Sequence, residues 1–169
     1  SVTRIEDGGM KIKKQADMLE DLIEEALKHI SRKSREFSIR VSMEDEMQLV
    51  NVDSRLILQV IINIVDNAVK YTPPGGEIVI STKKEKSFVH VQIADNGKGI
   101  PDEDKPHIFE MFYTANNEIT DSKRSLGLGL ALCKSIINAH GGKIMVYDNE
   151  PKGAIFDFTV PAEEVEIHE

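Results

Sequence analysis

The stretch Gln59-Val-Ile-Ile-Asn63-Ile-Val-Asp66-Asn67-Ala-Val-Lys70-Tyr71 constrains the fold more than any other part of the chain. At about 100° per residue on a helix, Gln59, Asn63, Asp66, Asn67 and Lys70 share an arc of roughly 100°. Val60, Ile61, Ile64, Val65, Ala68 and Val69 cover much of the remainder. So wide an apolar arc must be buried on most sides. A narrow polar stripe on such a helix is therefore not simply a solvated face. Asparagine offers a hard oxygen ligand suited to Mg²⁺, and lysine offers positive charge for phosphate. Taken alone, the segment also fits a hydrogen-bonded polar stripe that holds no ligand.

Around it the pattern alternates between strands and helices. Lys11 to Gln15 reads as a short strand, and Asp17 as the N-cap of a helix running to about Arg32. Phe37, Ile39, Val41 and Met43 alternate with polar residues, as a strand requires. A short strand at Leu49 to Val52 leads to Asp53, the expected N-cap of the central helix, which Thr72-Pro-Pro-Gly-Gly76 ends. Glu77 to Lys83 and Phe88 to Ala94 form a strand pair around a polar turn. A third helix is expected from about Gly127 to His140, before Gly141-Gly142. Lys143 to Tyr147 and Ala154 to Val160 close the sheet as a hairpin. The sum is an α+β two-layer sandwich, a mixed sheet covered on one face by three main helices.

Bulk properties exclude several classes. The 169 residues suit one well-cored domain, and a net charge of −8 argues against non-specific nucleic-acid binding. The single cysteine, Cys133, rules out an internal disulfide framework, fits a reducing compartment and reads as a small buried hydrophobe. No apolar run approaches the roughly 20 residues that cross a bilayer, so no direct membrane insertion of this segment is expected.

Two further constellations carry chemistry. Asp95-Asn-Gly97-Lys-Gly99-Ile100-Pro101 follows a strand directly. Its glycines let the backbone approach a flat ligand, and the Asp95 carboxylate can accept from an exocyclic amine such as that of adenine. A tight turn is the plainer alternative. Ser125-Leu126-Gly127-Leu128-Gly129-Leu130 opens a helix, where free N–H groups form an anion site. Each pattern is weak singly, and their order along the chain is not.

Together these residues resemble the N, G1, F and G2 boxes of histidine kinase ATP-binding domains, here Asn63 to Tyr71, Asp95 to Gly99, Phe109-Glu-Met-Phe112 and Ser125 to Leu130. That family has the Bergerat fold, shared with DNA gyrase, a class of heat-shock chaperones and the MutL repair proteins. The resemblance covers roughly Asp17 to Pro161. It implies ATP and Mg²⁺ as cofactors. Asn67 would ligate the ion with help from Asn63, Lys70 would contact phosphate, and Tyr71 would line the pocket. Asp95 would accept from the adenine amine, with Gly97, Gly99 and Ile100 shaping the base pocket. Phe109 and Phe112 would anchor a lid from about Tyr113 to Ser125, and Lys123 or Arg124 would meet the γ-phosphate. Ser125, Leu126, Gly127, Leu128 and Gly129 would border the phosphates. Phe109 reads equally well as a plain core anchor. Ser125 departs from the family, which commonly has glycine there.

Family members that hydrolyse ATP place a glutamate one turn before the metal-binding asparagine. Here that position is Asn63, and an amide cannot take a proton near neutral pH. The resemblance thus points to phosphoryl transfer onto a histidine of a dimerisation hairpin. None of His29, His90, His107, His140 and His168 has the acceptor context, and residues 1–10 resemble the end of that hairpin. The ATP-binding domain would span 11–161 and a frayed tail 162–169. The implied partners are the parent phosphoacceptor hairpin, a response regulator receiver domain and, in the full protein, a second copy of the chain. The implied location is the cytoplasmic part of a membrane-anchored sensor. Phe112-Tyr-Thr-Ala115 and Ser125 to Lys134 further resemble the potassium-responsive KdpD sensor kinases of bacteria.

Overall fold

The computed structural model describes residues 10–30, 37–43, 48–113 and 129–164. Its sheet is built where the sequence alternates. Strands β4 (Glu77–Glu85) and β5 (Phe88–Asp95) bury every second residue, Ile78, Ile80 and Thr82 on one, Val89, Val91, Ile93 and Asp95 on the other. Strand β7 (Ala154–Pro161) does the same with Phe156, Phe158 and Val160 and pairs antiparallel with β5, Ile93 opposite Phe156. Strand β6 (Ile144–Asp148) forms one edge and β2 (Ser38–Met43) the other, in the order β2-β4-β5-β7-β6. All pairings are antiparallel except β2 with β4, which is parallel.

Three helices, α1 (Leu19–Lys28), α2 (Ser54–Tyr71) and α3 (Gly129–Ala139), cover the buried face. They share a single core with the sheet: Leu19 and Ile23 from α1, Ile57, Ile61 and Ile64 from α2, Ile136 and Ile137 from α3 are fully buried. Each such side chain contributes about 1.5–3 kcal/mol by leaving water. The helix α2 packs on both of its neighbours, as its wide apolar arc requires. The two-layer α+β architecture is therefore the one the residue pattern implies.

Several boundaries differ from the pattern. Strand β1 is Gln15–Met18, pairing with β3 (Leu49–Val52) in a separate two-stranded sheet. Asp17 thus lies inside a strand, opposite Val50, and Met18 is the N-cap residue of α1. The Asp17 carboxylate instead accepts from Ser54 Oγ at 2.6 Å and from the Met18 N–H at 2.9 Å. α1 ends at Lys28, short of Arg32. Asp53 does precede α2, but its side chain caps nothing there and accepts from the Lys13 N–H at 3.0 Å. At the start of the expected tail, Ala162 N–H donates to Ser87 O and Glu163 N–H to Leu49 O, and residues 165–169 lie outside the described residues.

Candidate functional site

The polar stripe of α2 descends from solvent into the protein. Gln59 and Lys70 are exposed, Asn63 and Asn67 half-buried, and Asp66 buried. Gln59 Nε2 donates weakly to Asn63 Oδ1 at 3.5 Å. Asparagines fixed this far into a packed helix have few rotamers, so their amides point in defined directions. Lys70 Nζ lies 5.2 Å from the centre of the Tyr71 ring, and Lys98 Nζ, from the loop after β5, lies 5.9 Å from it. Both separations suit cation–π attraction.

The loop after β5 folds against the end of α2. A Cβ on Gly97 would lie 2.7 Å from Tyr71 O, 3.0 Å from Thr72 Oγ1 and 3.2 Å from Asp95 Oδ1. No larger residue fits between them, so glycine here permits a close approach of two elements. Gly99 has a φ of +80°, a second conformational demand met by glycine.

Asp95 is buried, and its two oxygens differ. Oδ1 accepts from the Gly97 N–H at 2.9 Å and the Ala154 N–H at 3.3 Å. Burial pushes the carboxyl above its ordinary range, and the two N–H donors pull the other way. A buried carboxylate with one oxygen satisfied by backbone leaves the other for an incoming donor.

Around these residues the fold supplies a frame. Asn149 Nδ2 donates to Asp95 O at 2.7 Å, and Asn96 Oδ1 accepts from the Glu77 N–H at 2.8 Å. Lys105 Nζ reaches Ile100 O at 2.9 Å and Asp148 at 2.9 Å, which ties the loop to the end of β6. Between the loop and the β6–β7 turn lies an open groove of about 450 Å³, bordered by Lys98, Ile100, Pro101 and Lys152. Phe109 packs edge-on against Phe156 with ring centres 6.1 Å apart, the core-anchor alternative. Phe112 is 67% exposed at a φ of 66°, and the lid it was expected to anchor lies outside the described residues from 114 onward. Tyr113 Oη donates to the Asp104 carboxylate.

The start of α3 closes the arrangement. A Cβ on Gly129 would lie 3.9 Å from Asn63 Cγ. Thus α2 joins three of the sequence motifs, meeting the first turn of α3 at Asn63 and the loop after β5 at Tyr71–Thr72. Lys123, Arg124, Ser125, Leu126, Gly127 and Leu128 lie outside the described residues, as does the helix end expected before Gly9. Sequence reasoning missed Thr72, Asn149 and Gly153. Thr72 is buried, with Oγ1 making no hydrogen bond, and only its position after Tyr71 hinted at it.

The family model described as histidine kinase-, DNA gyrase B- and HSP90-like ATPase matches residues 52–164. The sensor protein KdpD of Clostridium acetobutylicum is 42% identical over 163 residues, which take in 96% of this chain and 18% of that protein. The chain therefore spans less than a fifth of the length of this relative. The catalytic domain of histidine kinase ThkA superposes with a TM-score of 0.78 at 32% identity, covering 89% of this chain and 96% of that one. Histidine kinase ThkA in complex with response regulator protein TrrA superposes at 0.75 with 31% identity, covering 89% of this chain and 42% of that one.

The chain belongs to the histidine kinase-, DNA gyrase B- and HSP90-like ATPase family. Within that family it is an ATP-binding catalytic domain of the sensor histidine kinase type, and KdpD is among its relatives. Among the described residues, no helix is long and apolar enough to cross a membrane.

Proposed function

We propose that this domain holds Mg²⁺-ATP between α2 and the loop after β5 and passes the γ-phosphoryl group to a histidine on a dimerisation hairpin. The observation that carries the reading is the convergence at Gly97, where the Tyr71–Thr72 end of α2 and the buried Asp95 meet around one glycine. A flat base would lie beside this loop, with its exocyclic amine facing the carboxylate oxygen that backbone donors leave open. Asn67 and Asn63 would hold the ion through amide oxygens. Among the described residues no three His, Cys, Asp or Glu side chains gather to hold a metal, and a hard cation shared with phosphates does not need such a cluster. Lys70 would contact phosphate, and Gly129 would leave room beside Asn63. Lys123, Arg124 and the Ser125–Leu128 stretch would act at the phosphates, as their motif implies.

Mg²⁺ would supply charge neutralisation on the phosphates, and the protein's share is positioning and electrostatics. Hydrolysis is disfavoured because Asn63 cannot serve as a base. The described histidines are engaged elsewhere: His29 with Glu25, His90 with Asp157, His107 with Glu110, and His140 in the core. The acceptor is therefore assigned to a parent hairpin. A response regulator downstream, a dimeric parent and a cytoplasmic position below a membrane-anchored sensor complete the proposal.

Titration calorimetry with a non-hydrolysable ATP analogue tests the site. Wild type should bind only with Mg²⁺, and Asn67→Ala should lose that dependence while keeping its circular dichroism spectrum. Unchanged Mg²⁺-dependent affinity in the variant would remove Asn67 as ligand. Labelled ATP with the KdpD-type hairpin in trans should yield acid-labile phosphohistidine; free phosphate instead would favour the ATPase reading.

A further inference from the structure

We propose that His140 is a positioning residue for the nucleotide site, whose neutral imidazole bolts the C-terminal end of α3 to the start of α2 and thereby sets where α3 begins against Asn63. The inference rests on the nucleotide-site reading above.

The ring is 1% exposed and uses both nitrogens. Nδ1 lies 2.8 Å from Ile136 O, and Nε2 accepts from the Asp53 N–H at 3.0 Å. A carbonyl can only accept and an amide N–H can only donate, so the tautomer is determined: the proton sits on Nδ1 and Nε2 is bare. The Asp53 N–H precedes α2, whose own N-cap side chain makes no capping bond. The junction is thus held from the neighbouring helix.

The two helices pack side by side, with Cys133 Sγ of α3 lying 3.8 Å from Val60 O of α2 midway along them. His140 touches Asp53 at one end, and Gly129 approaches Asn63 at the other. From Gly129 to His140 is about 16 Å of helix, and from Asp53 to Asn63 about 15 Å, at roughly 1.5 Å per residue. The matched lengths make the pair a ladder whose end rung is the His140 bond, so a shift at His140 is carried along α3 toward Gly129 beside Asn63. Interfaces of packed helices shift in discrete steps rather than by continuous strain.

Protonation breaks the rung. An N–H on Nε2 would point at the Asp53 N–H, leaving two donors face to face. Burial holds the imidazole below its ordinary value of 6.5, with Lys14 adding to that, while the Ile136 carbonyl and the Asp53 carboxylate oppose it. Arg55 stands 3.8 Å from the Asp53 carboxylate. A folded-state value below the unfolded 6.5 means that the neutral rung is intact near neutrality and is lost only as pH falls through that lowered folded-state value.

The test uses calorimetric affinity for the Mg²⁺-bound ATP analogue between pH 7.5 and 5.0, for wild type, His140→Gln and His140→Phe. Glutamine can donate to Ile136 O and accept from the Asp53 N–H without titrating. His140→Gln should bind like wild type at pH 7.5 and pull ahead of it as pH falls, by up to about fivefold, the size of one hydrogen bond. His140→Phe should be about fivefold weaker than wild type at pH 7.5, and this gap should close in acid. Nucleotide protonation is common to all three and cancels in the ratios. Superimposable pH profiles of wild type and His140→Gln would overturn the inference, even if His140→Phe does not fold. Failure of wild type to bind at pH 7.5 would instead overturn the nucleotide-site reading.

Discussion

Gly153 presses so closely on Asp95 that a Cβ there would fall 1.9 Å from the Asp95 carbonyl oxygen. It does so at a φ of +108°, in the turn between β6 and β7. Gly153→Ala has no room to relax, because the atoms it meets are main chain. The variant should lose more than about 3 kcal/mol of stability, the scale of a backbone clash added to a disallowed conformation. Denaturant unfolding checks this, and a loss under about 1 kcal/mol would mean that the turn can move aside.

Asp95→Asn should separate stability from binding. Burial raises the carboxyl's folded-state value, so the ionised form weighs against folding, and that penalty fades as pH falls through the folded value toward 3.8. An asparagine Oδ1 can still accept from the Gly97 and Ala154 N–H groups. The variant's Tm should match or exceed that of wild type at pH 7, with the difference shrinking in acid. Its affinity for ATP should drop more than for GTP, because an amide accepts poorly from the adenine amine. A Tm well below wild type at pH 7 would contradict the desolvation argument.

Cys133 should be inert in the native state. Its thiol is fully buried, donates to Val60 O at 3.8 Å, and is pushed up to about 12 by burial. Thiolate is the reactive form, and the ring of core residues blocks access. Ellman's reagent at pH 8 should give no colour until denaturant is added; prompt reaction would show that α3 opens locally.

Tyr113 should titrate late. Its hydroxyl donates to Asp104, and that bond, with the neighbouring carboxylates, pushes the phenol up to about 12. Absorbance near 295 nm should show one tyrosine still protonated at pH 11, absent in Tyr113→Phe. A titration near the ordinary 10.0 would show that the Asp104 bond is not kept in solution.

The helix α2 was legible because its period, its stripe and the Pro-Pro-Gly-Gly stop all agree with its final state. The strands β4, β5 and β7 were legible for the same reason, local alternation matching burial. Asp17 misled because an aspartate before an apolar run is sound capping chemistry, yet pairing with Val50 claimed its backbone and Ser54 its carboxylate. That pairing is long-range and leaves no periodic mark in four residues. His140 was legible as the end of the third helix, before Gly141-Gly142. Its bond to the Asp53 N–H, 87 residues away, was not. Gly153 likewise reads as a turn residue until β7 sets it against Asp95. Motif residues announce themselves through chemistry, whereas the residues that hold them do so only through the finished fold.

The parallel pairing of β2 with β4 obliges the chain to travel back along the sheet between them, and α2 rides on that return path. A ribosome therefore releases both asparagines well before the carboxylate they would work with, and Asp95 in turn emerges before the strand that braces it. On the proposed site, a nascent chain stopped short of β7 would own half a grip and could not close it on a nucleotide. ATP would then find no complete pocket until synthesis of the whole sheet has finished.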